Sequence, residues 1–290
     1  MTGRTRFTAR LVWGRRSLHV FCSHALAAFG LLAGLVQLVA ALFSLTFSAP
    51  VAVIAATAAA SVVWGAVQAF PPASAERAFD HPRTRVRVIA GDLFDQPGHL
   101  VIGFTDTFDT SVADDRVISR SSVQGQLLER FYSGVQDDLD NALTEALALH
   151  VPESVESRVD KPQGKLNRYP IGTVAIMPRG DRKLFGLAYS RLTNDLVAES
   201  SPERVWVSLC RLWESVYAHG HREPLTIPVI GSALGRIDTL SHENLLKMIL
   251  LSFVAASRDR VITRELTVVV WPPDLKEINT LEIRQFLTTL

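Results

Sequence analysis

Between Ser17 and Ala75 the chain carries no Asp, Glu, Lys or Arg. A charge-free stretch of this length exceeds the apolar core of a secretory signal, which runs roughly 7–15 residues. It divides in two. Val20 to Phe43 is apolar apart from Cys22, Ser23, His24 and Gln37; Ser44 to Pro50 is a short turn with a proline; Val51 to Phe70 is a second apolar run, closed by Pro71 and Pro72. About 20 helical residues cross the hydrocarbon layer of a bilayer, and each run is long enough. Arg4, Arg6, Arg10, Arg15 and Arg16 precede the first run, Arg77, Arg83, Arg85 and Arg87 follow the second, and the turn is uncharged. The positive-inside rule then predicts a two-pass helical hairpin with both termini cytoplasmic, in contact with membrane lipid.

Two features of the hairpin leave its packing open. Gly30-Leu-Leu-Ala-Gly34 is a small-xxx-small pattern, and the second run is rich in alanine. Small residues let helix backbones approach closely in lipid, either inside one hairpin or between copies. Gln37, Gln68 and His24 lie at membrane depth, where they either hydrogen-bond a neighbouring helix or line a pore.

The rest of the chain is of a different kind. With five arginines ahead of the hairpin, Glu76 to Leu290 keeps 25 basic against 29 acidic residues. A mildly acidic domain offers no electrostatic case for nucleic acid. Cys22 and Cys210 fit no metal or disulfide spacing and read as buried apolar thiols. His219-Gly-His221 lacks further spaced ligands and is not read as a metal site. Asp137-Asp138 is read as a helix first turn, where carboxylates favour the dipole.

Segments alternate. Strands are predicted at 86–90, 100–104, 173–177, 184–189, 225–230 and 266–271; helices at 124–132, 137–150, 202–219, 241–257 and 274–286. Residues 73–85 read as a linker and 151–168 as a loop. The boundaries are then a basic segment 1–17, a hairpin 18–72, the linker, and an α/β domain 86–290. Strand–helix alternation implies a largely parallel sheet between helix layers, with ligands bound beyond the carboxyl ends of the strands. Gly231 and Gly235 stand in such a loop, between the strand at Leu225 and the helix near Ser241. Glycines there permit positive φ and expose backbone N–H groups suited to a diphosphate, though many such loops carry glycine only to turn. Tyr189 and Thr193 end a strand on the same side, as core or as rim.

Three stretches carry a resemblance. Val88-Ile-Ala-Gly91-Asp92-Leu-Phe resembles the first strand and loop of a macro domain, whose Gly-Asp element reads the adenine of ADP-ribose. The strand 225–230 with its Gly-x-x-x-Gly loop resembles that family's loop around the distal ribose and diphosphate. Residues 101–132, with Phe-Asp-Thr and then Ser-Val-Gln-Gly-Gln, are similar to the macro domain of Thoeris antiphage effectors, one branch of which has two N-terminal transmembrane helices. The resemblance spans nearly the whole chain. It implies a macro-like three-layer α/β/α domain, with a mixed, largely parallel sheet, behind an inner-membrane hairpin of a bacterium.

The departure from the hydrolytic pattern is at Phe104-Thr-Asp-Thr-Phe-Asp109, where an Asn-Ala-Ala-Asn-like element usually holds the distal ribose. An added carboxylate facing phosphates would repel them. The resemblance therefore implies a sensor and not an enzyme. Its ligand is an ADP-ribose derivative, conjugated to histidine in this branch and made from NAD by a TIR-domain partner. Binding leads to homo-oligomerisation and membrane disruption. Asp106 or Asp109 is expected to pair with a cationic group of the signal. The implied ligand-binding set is Asp92, Leu93, Phe108, Asp109, Ser121, Gln124, Gly231, Ser232, Ala233, Leu234, Gly235 and Arg236, with no catalytic residue, metal or other cofactor. For Asp92 two readings stand: a cap of its own loop, or an acceptor for adenine N6. Ser121, Ser122 and Gln124 resemble a helix N-terminus, which suits an anion and also needs capping. The rival functions are a membrane-anchored ADP-ribosyl hydrolase and an adaptor for ADP-ribosylated protein.

Overall fold

The computed structural model describes residues 15–44, 48–70, 74–231 and 240–290. Two compact units separate at Ala73, the first also taking in Asn279–Glu282. The first holds α1 (Arg15–Leu42) and α2 (Pro50–Ala69). Both are long and apolar enough to cross a membrane. Proline at the first position of α2 costs no hydrogen bond, because that N–H has no helical partner. The two helices meet closely at Gly65, where a Cβ would lie 2.8 Å from both Ala25 Cβ and the Phe21 carbonyl oxygen. Gly30 and Gly34 take no part in this contact, since an added Cβ would meet nothing within 4 Å. His24, Gln37 and Gln68 are exposed on the outside of the pair. Cys22 is exposed as well, and so is Cys210, which corrects the expectation of two buried thiols. Each sits on the outward side of its helix, where cysteine, an apolar residue type, does not by itself reveal the face.

The second unit is a layered α/β domain. Its strands are β1 (Ser74–Asp80), β2 (Arg83–Ala90), β3 (His99–Thr105), β4 (Ser154–Val155), β5 (Asn167–Arg168), β6 (Val174–Arg179), β7 (Arg182–Leu192), β8 (Ala198–Glu199), β9 (Leu225–Pro228) and β10 (Glu265–Val270). Its helices are α3 (Val123–Tyr132), α4 (Gln136–Leu147), α5 (Pro202–His219), α6 (His242–Ser257) and α7 (Thr280–Thr289). The main sheet runs β1-β2-β10-β9-β3-β7-β6, with β8 paired to β7 and a separate β4–β5 pair. β2, β10, β9, β3 and β7 are parallel; β1, β6 and β8 pair antiparallel. The mixed, largely parallel sheet is as expected.

Period-two alternation divides the strands between two cores. Leu100, Ile102 and Phe104 of β3 face α3 and α4 through Leu127, Leu139 and Leu143. Val101 of β3, with Phe185 and Leu187 of β7, faces α5, α6 and α7 through Leu212, Trp213, Phe253 and Ile283. The capped starts of α5 and α6 fall where the sequence places them: Ser201 Oγ accepts from Arg204 N and Ser241 Oγ from Asn244 N, both at 3.3 Å.

Three expectations are corrected. Residues 73–85 are not a linker: β1 pairs along its whole length with β2, from Ser74 opposite Ile89 to Asp80 opposite Arg83. Residues 151–168 include the β4–β5 pair. The last helix divides into a 3-10 turn (Pro272–Glu277) and α7, because Ile278 is extended and Asn279 Oδ1 accepts from Leu281 N to restart the helix.

Candidate functional site

A cleft of about 200 Å³ opens at the carboxyl edge of the parallel strands. Four elements wall it: Gly103 of β3, Tyr189 of β7, Ser119 and Ser121 to Gln124 at the start of α3, and Pro228 to Gly231 at the end of β9. Ser121 and Gln124 thus come together with Gly231, more than a hundred residues further on.

Local chemistry fixes this shape. Gly103 has no side chain because the Tyr189 ring lies on its backbone; a Cβ would be 2.6 Å from Tyr189 Cε1. Gln124 Nε2 donates to the Gly103 carbonyl at 2.7 Å, tying the helix start to the strand. Ser122 caps α3, its Oγ accepting from Gly125 N at 3.1 Å. Gly125 allows the tight entry, since a Cβ there would meet the Ser119 and Arg120 carbonyl oxygens at 2.5 Å. The Ser119 and Ser121 hydroxyls are 2.9 Å apart at the mouth. The result is a serine-rich helix N-terminus, a setting that favours anions through free N–H groups and the dipole. Gly231 takes φ +85°, a conformation that strains any side chain. Burial pushes the Tyr189 phenol up to about 12, against hydrogen bonds from the Gly231 backbone and Ser190. Tyr189 is therefore a neutral hydroxyl in the cleft wall at any physiological pH.

The remaining candidates divide. Asp92 is outside the cleft lining. Its Oδ1 accepts from Phe94 N at 2.9 Å, and its Oδ2 pairs with Arg130 Nη2 at 2.6 Å. That is the loop-capping reading, and a carboxylate retains lone pairs for a further donor. Leu93 is buried in the core beneath. Ser232, Ala233, Leu234, Gly235 and Arg236 lie outside the described residues. Thr193 belongs to a surface turn, its hydroxyl accepting from Val197 N.

Phe108 and Asp109 are corrected, together with Asp106. None of them is open to a ligand: all three are at most 2% exposed. Phe108 has φ +48° and packs its ring on Phe104 and Tyr169, at 5.4 and 5.7 Å between centroids. Asp106 Oδ2 pairs with Arg168 Nη1 at 2.9 Å, while Oδ1 accepts from Leu192 N. Asp109 Oδ2 accepts from Thr107 Oγ1 at 2.5 Å and from Lys161 Nζ at 3.2 Å, and Oδ1 accepts from Lys165 N. The cations expected on a ligand are supplied by the chain itself. Lys161 is wholly buried and also donates to the Lys165 carbonyl at 2.6 Å. Burial opposes the Arg168 charge, but hydrogen bonds to Glu156 and Asp106 outweigh that and raise its pKa. Two buried ion pairs thus pin the segment 153–168 across the turn after β3. The sequence reading missed Lys161 and Arg168, which sit in what looked like a plain polar loop. It also missed Gly103, for which a glycine inside an apolar strand is a usable sign of close approach.

Among the described residues, no three His, Cys, Asp or Glu side chains converge as metal ligands.

Comparison with known proteins places this geometry. A family model described as "Thoeris protein ThsA, Macro domain" matches residues 86–271. The Thoeris protein ThsA of Bacillus amyloliquefaciens (strain Y2) is 27% identical over 210 residues, covering 70% of this chain and 68% of that protein. The Oceanobacillus iheyensis macrodomain with ADP aligns at a TM-score of 0.50 and 11% identity, over 75% of this chain and 99% of that one. A mutant of the same macrodomain with ADPR gives 0.50 and 11%, over 75% and 100%. At that identity the structures speak for the fold alone, and the family match goes further: the chain belongs to the family of Thoeris ThsA macro domains.

Proposed function

We propose that the chain is a membrane-anchored effector of Thoeris antiphage defence, whose macro domain binds an ADP-ribose-derived signal. The carrying observation is the carboxyl-edge cleft, where the N-terminus of α3 faces the strand end at Gly231 and suits a diphosphate. The signal is the histidine-conjugated nucleotide made by a TIR-domain partner. Its binding favours a self-associated state, for which the ligand must have the higher affinity. Association of the hairpins then breaches the membrane. Gly30, Gly34 and Gln37 support that step. They share one outward face of α1, where small residues and a polar group suit contact between copies.

The non-enzymatic reading is supported by the turn Thr105–Thr110. Its acids are spent on internal ion pairs, so they are not placed to activate water at a ribose. Calorimetry on the full chain in mild detergent tests the site. ADP-ribose is expected to bind, and Ser121→Glu to weaken it about tenfold or more, because an anion is set against the diphosphate at the helix start. Unchanged affinity in Ser121→Glu removes the cleft from consideration. Release of free ADP-ribose from a modified protein moves the chain to the hydrolase class.

A further inference from the structure

A second cavity, of about 490 Å³, opens beside α4 and shares no lining residue with the carboxyl-edge cleft. Its volume falls in the range of small-molecule sites, roughly 300–1,000 Å³. One wall is a stripe of α4: Asp140, Leu143, Thr144 and Leu147 recur at helical spacing and share a face. Lys165, Leu166 and Tyr169 form the facing wall, and Ala148 and Pro152 follow Leu147 at the far end, with the exposed His150 at the rim. The cavity is therefore charged at the Asp140 end and apolar at the Leu147 end, about 10 Å further along the helix.

We propose that this cavity binds a free α-amino acid with an apolar side chain. Its charged end is an ion pair: Asp140 Oδ1 and Lys165 Nζ are 2.5 Å apart, with side chains 27% and 32% exposed. Both partners are held in place. Asp140 Oδ1 also accepts from Thr110 Oγ1 at 2.6 Å, and Oδ2 accepts from Gln136 Nε2 at 3.2 Å. Burial opposes the Asp140 charge, but hydrogen bonds from Lys165 and Thr110 outweigh that and hold its pKa below the ordinary value. The Lys165 backbone is clamped by the buried Asp109–Lys161 pair, its N–H donating to Asp109 Oδ1 and its carbonyl accepting from Lys161 Nζ. Neither charge is saturated. Among the described residues Asp140 meets three donors and Lys165 Nζ one acceptor, whereas a carboxylate offers about four acceptor positions and an ammonium three donors. A lone cation arriving here is repelled by Lys165, and a lone anion by Asp140. A ligand with ammonium and carboxylate on one carbon sets an opposite charge against each. Its side chain then runs toward Leu147 and Pro152, where apolar surface covers it. The inference is independent of the nucleotide reading of the cleft.

Calorimetry on the full chain in mild detergent, with L-leucine and L-phenylalanine as probes, tests the site. Saturable binding is expected. N-acetyl-L-phenylalanine and L-phenylalaninamide, each lacking one of the two charges, should bind more weakly by about tenfold or more. Lys165→Met should weaken L-phenylalanine by a similar factor and erase its advantage over the amide, because the carboxylate has lost its partner. Asp140→Asn should likewise erase the advantage over the N-acetyl compound. A merely structural role of the pair would weaken all three compounds alike. ADP-ribose affinity should be unchanged in Lys165→Met, and L-phenylalanine affinity unchanged in Ser121→Glu, since the two sites share no residue. No binding of either amino acid at millimolar concentration overturns the inference. So do equal affinities for L-phenylalanine, its amide and its N-acetyl form, or variants that keep the preference for the intact zwitterion. Loss of amino-acid binding in Ser121→Glu also overturns it, by assigning that binding to the cleft.

Discussion

His99 shows how a single residue sets a pH limit. It is buried at the start of β3, where Nδ1 accepts from Lys183 N at 3.0 Å and Nε2 donates to the Gly220 carbonyl at 3.2 Å. One acceptor and one donor require the neutral ring, and burial accordingly lowers its pKa. In the unfolded chain the ring titrates near its ordinary value of about 6.5. Below that value the unfolded state binds more protons, so stability is full above it and falls as the pH drops. Urea unfolding at pH 7.5 and at pH 5 should show this loss, and His99→Gln should flatten it. The buried pair Asp109–Lys161 makes a larger prediction. Asp109→Asn strands a charged Lys161 at zero exposure, and breaking a buried pair from one side costs about 3–5 kcal/mol. The loss is read as a lower urea midpoint; adding Lys161→Met should recover much of it, since no lone charge then remains. Neither feature was legible beforehand. The sequence showed acids at 106 and 109 and polar residues at 161 and 168, but long-range pairing of buried charges leaves no local period or spacing. The shared place of Ser121, Gln124 and Gly231 in the cleft lining follows from positions fixed by local geometry: a helix start and a glycine after a strand.

At the scale of elements, legibility followed how strongly each segment specifies itself. α5 runs over the predicted 202–219, because a serine cap, a proline at the first position and a clear apolar period all agree. β1 was missed for the opposite reason. Ser-Ala-Glu-Arg-Ala-Phe-Asp has little intrinsic strand preference, and pairing with β2 makes it a strand. The helical hairpin was legible as two elements but not in its contact. The Gly30–Gly34 pattern invites packing, yet α1 and α2 touch at Gly65, a glycine among alanines that carries no pattern. The two positions therefore differ in outcome. Gly65→Leu puts a side chain against the Phe21 carbonyl, a backbone atom that cannot swing aside, and should separate the helices. Gly34→Leu points into open space and should leave the hairpin closed. Amide hydrogen exchange of α1 in micelles distinguishes them: faster exchange in Gly65→Leu only. Equal protection in both variants would reject the Gly65 contact.

At the scale of the whole molecule, the proposed function requires that a nucleotide in the cleft act on the apolar helices. β1 begins at the carboxyl edge of the sheet, Ser74 pairing with Ile89 just before Gly91, so the chain enters the domain at the edge that carries the cleft. On the proposed mechanism the helices do the damage, and the outward face of α1 with Gly30, Gly34 and Gln37 is where copies meet. A bulky side chain at 34 holds backbones apart, while hairpin closure and the cleft are untouched. Gly34→Leu is therefore expected to bind ADP-ribose with unchanged affinity by calorimetry. In cells that make the partner signal, a membrane-potential dye should nevertheless report no depolarisation. The two measurements together isolate the step between binding and lesion. Full depolarisation by Gly34→Leu rejects that face as the assembly contact. Depolarisation by a chain lacking residues 1–73 rejects the membrane mechanism itself, since the macro domain alone would then be toxic.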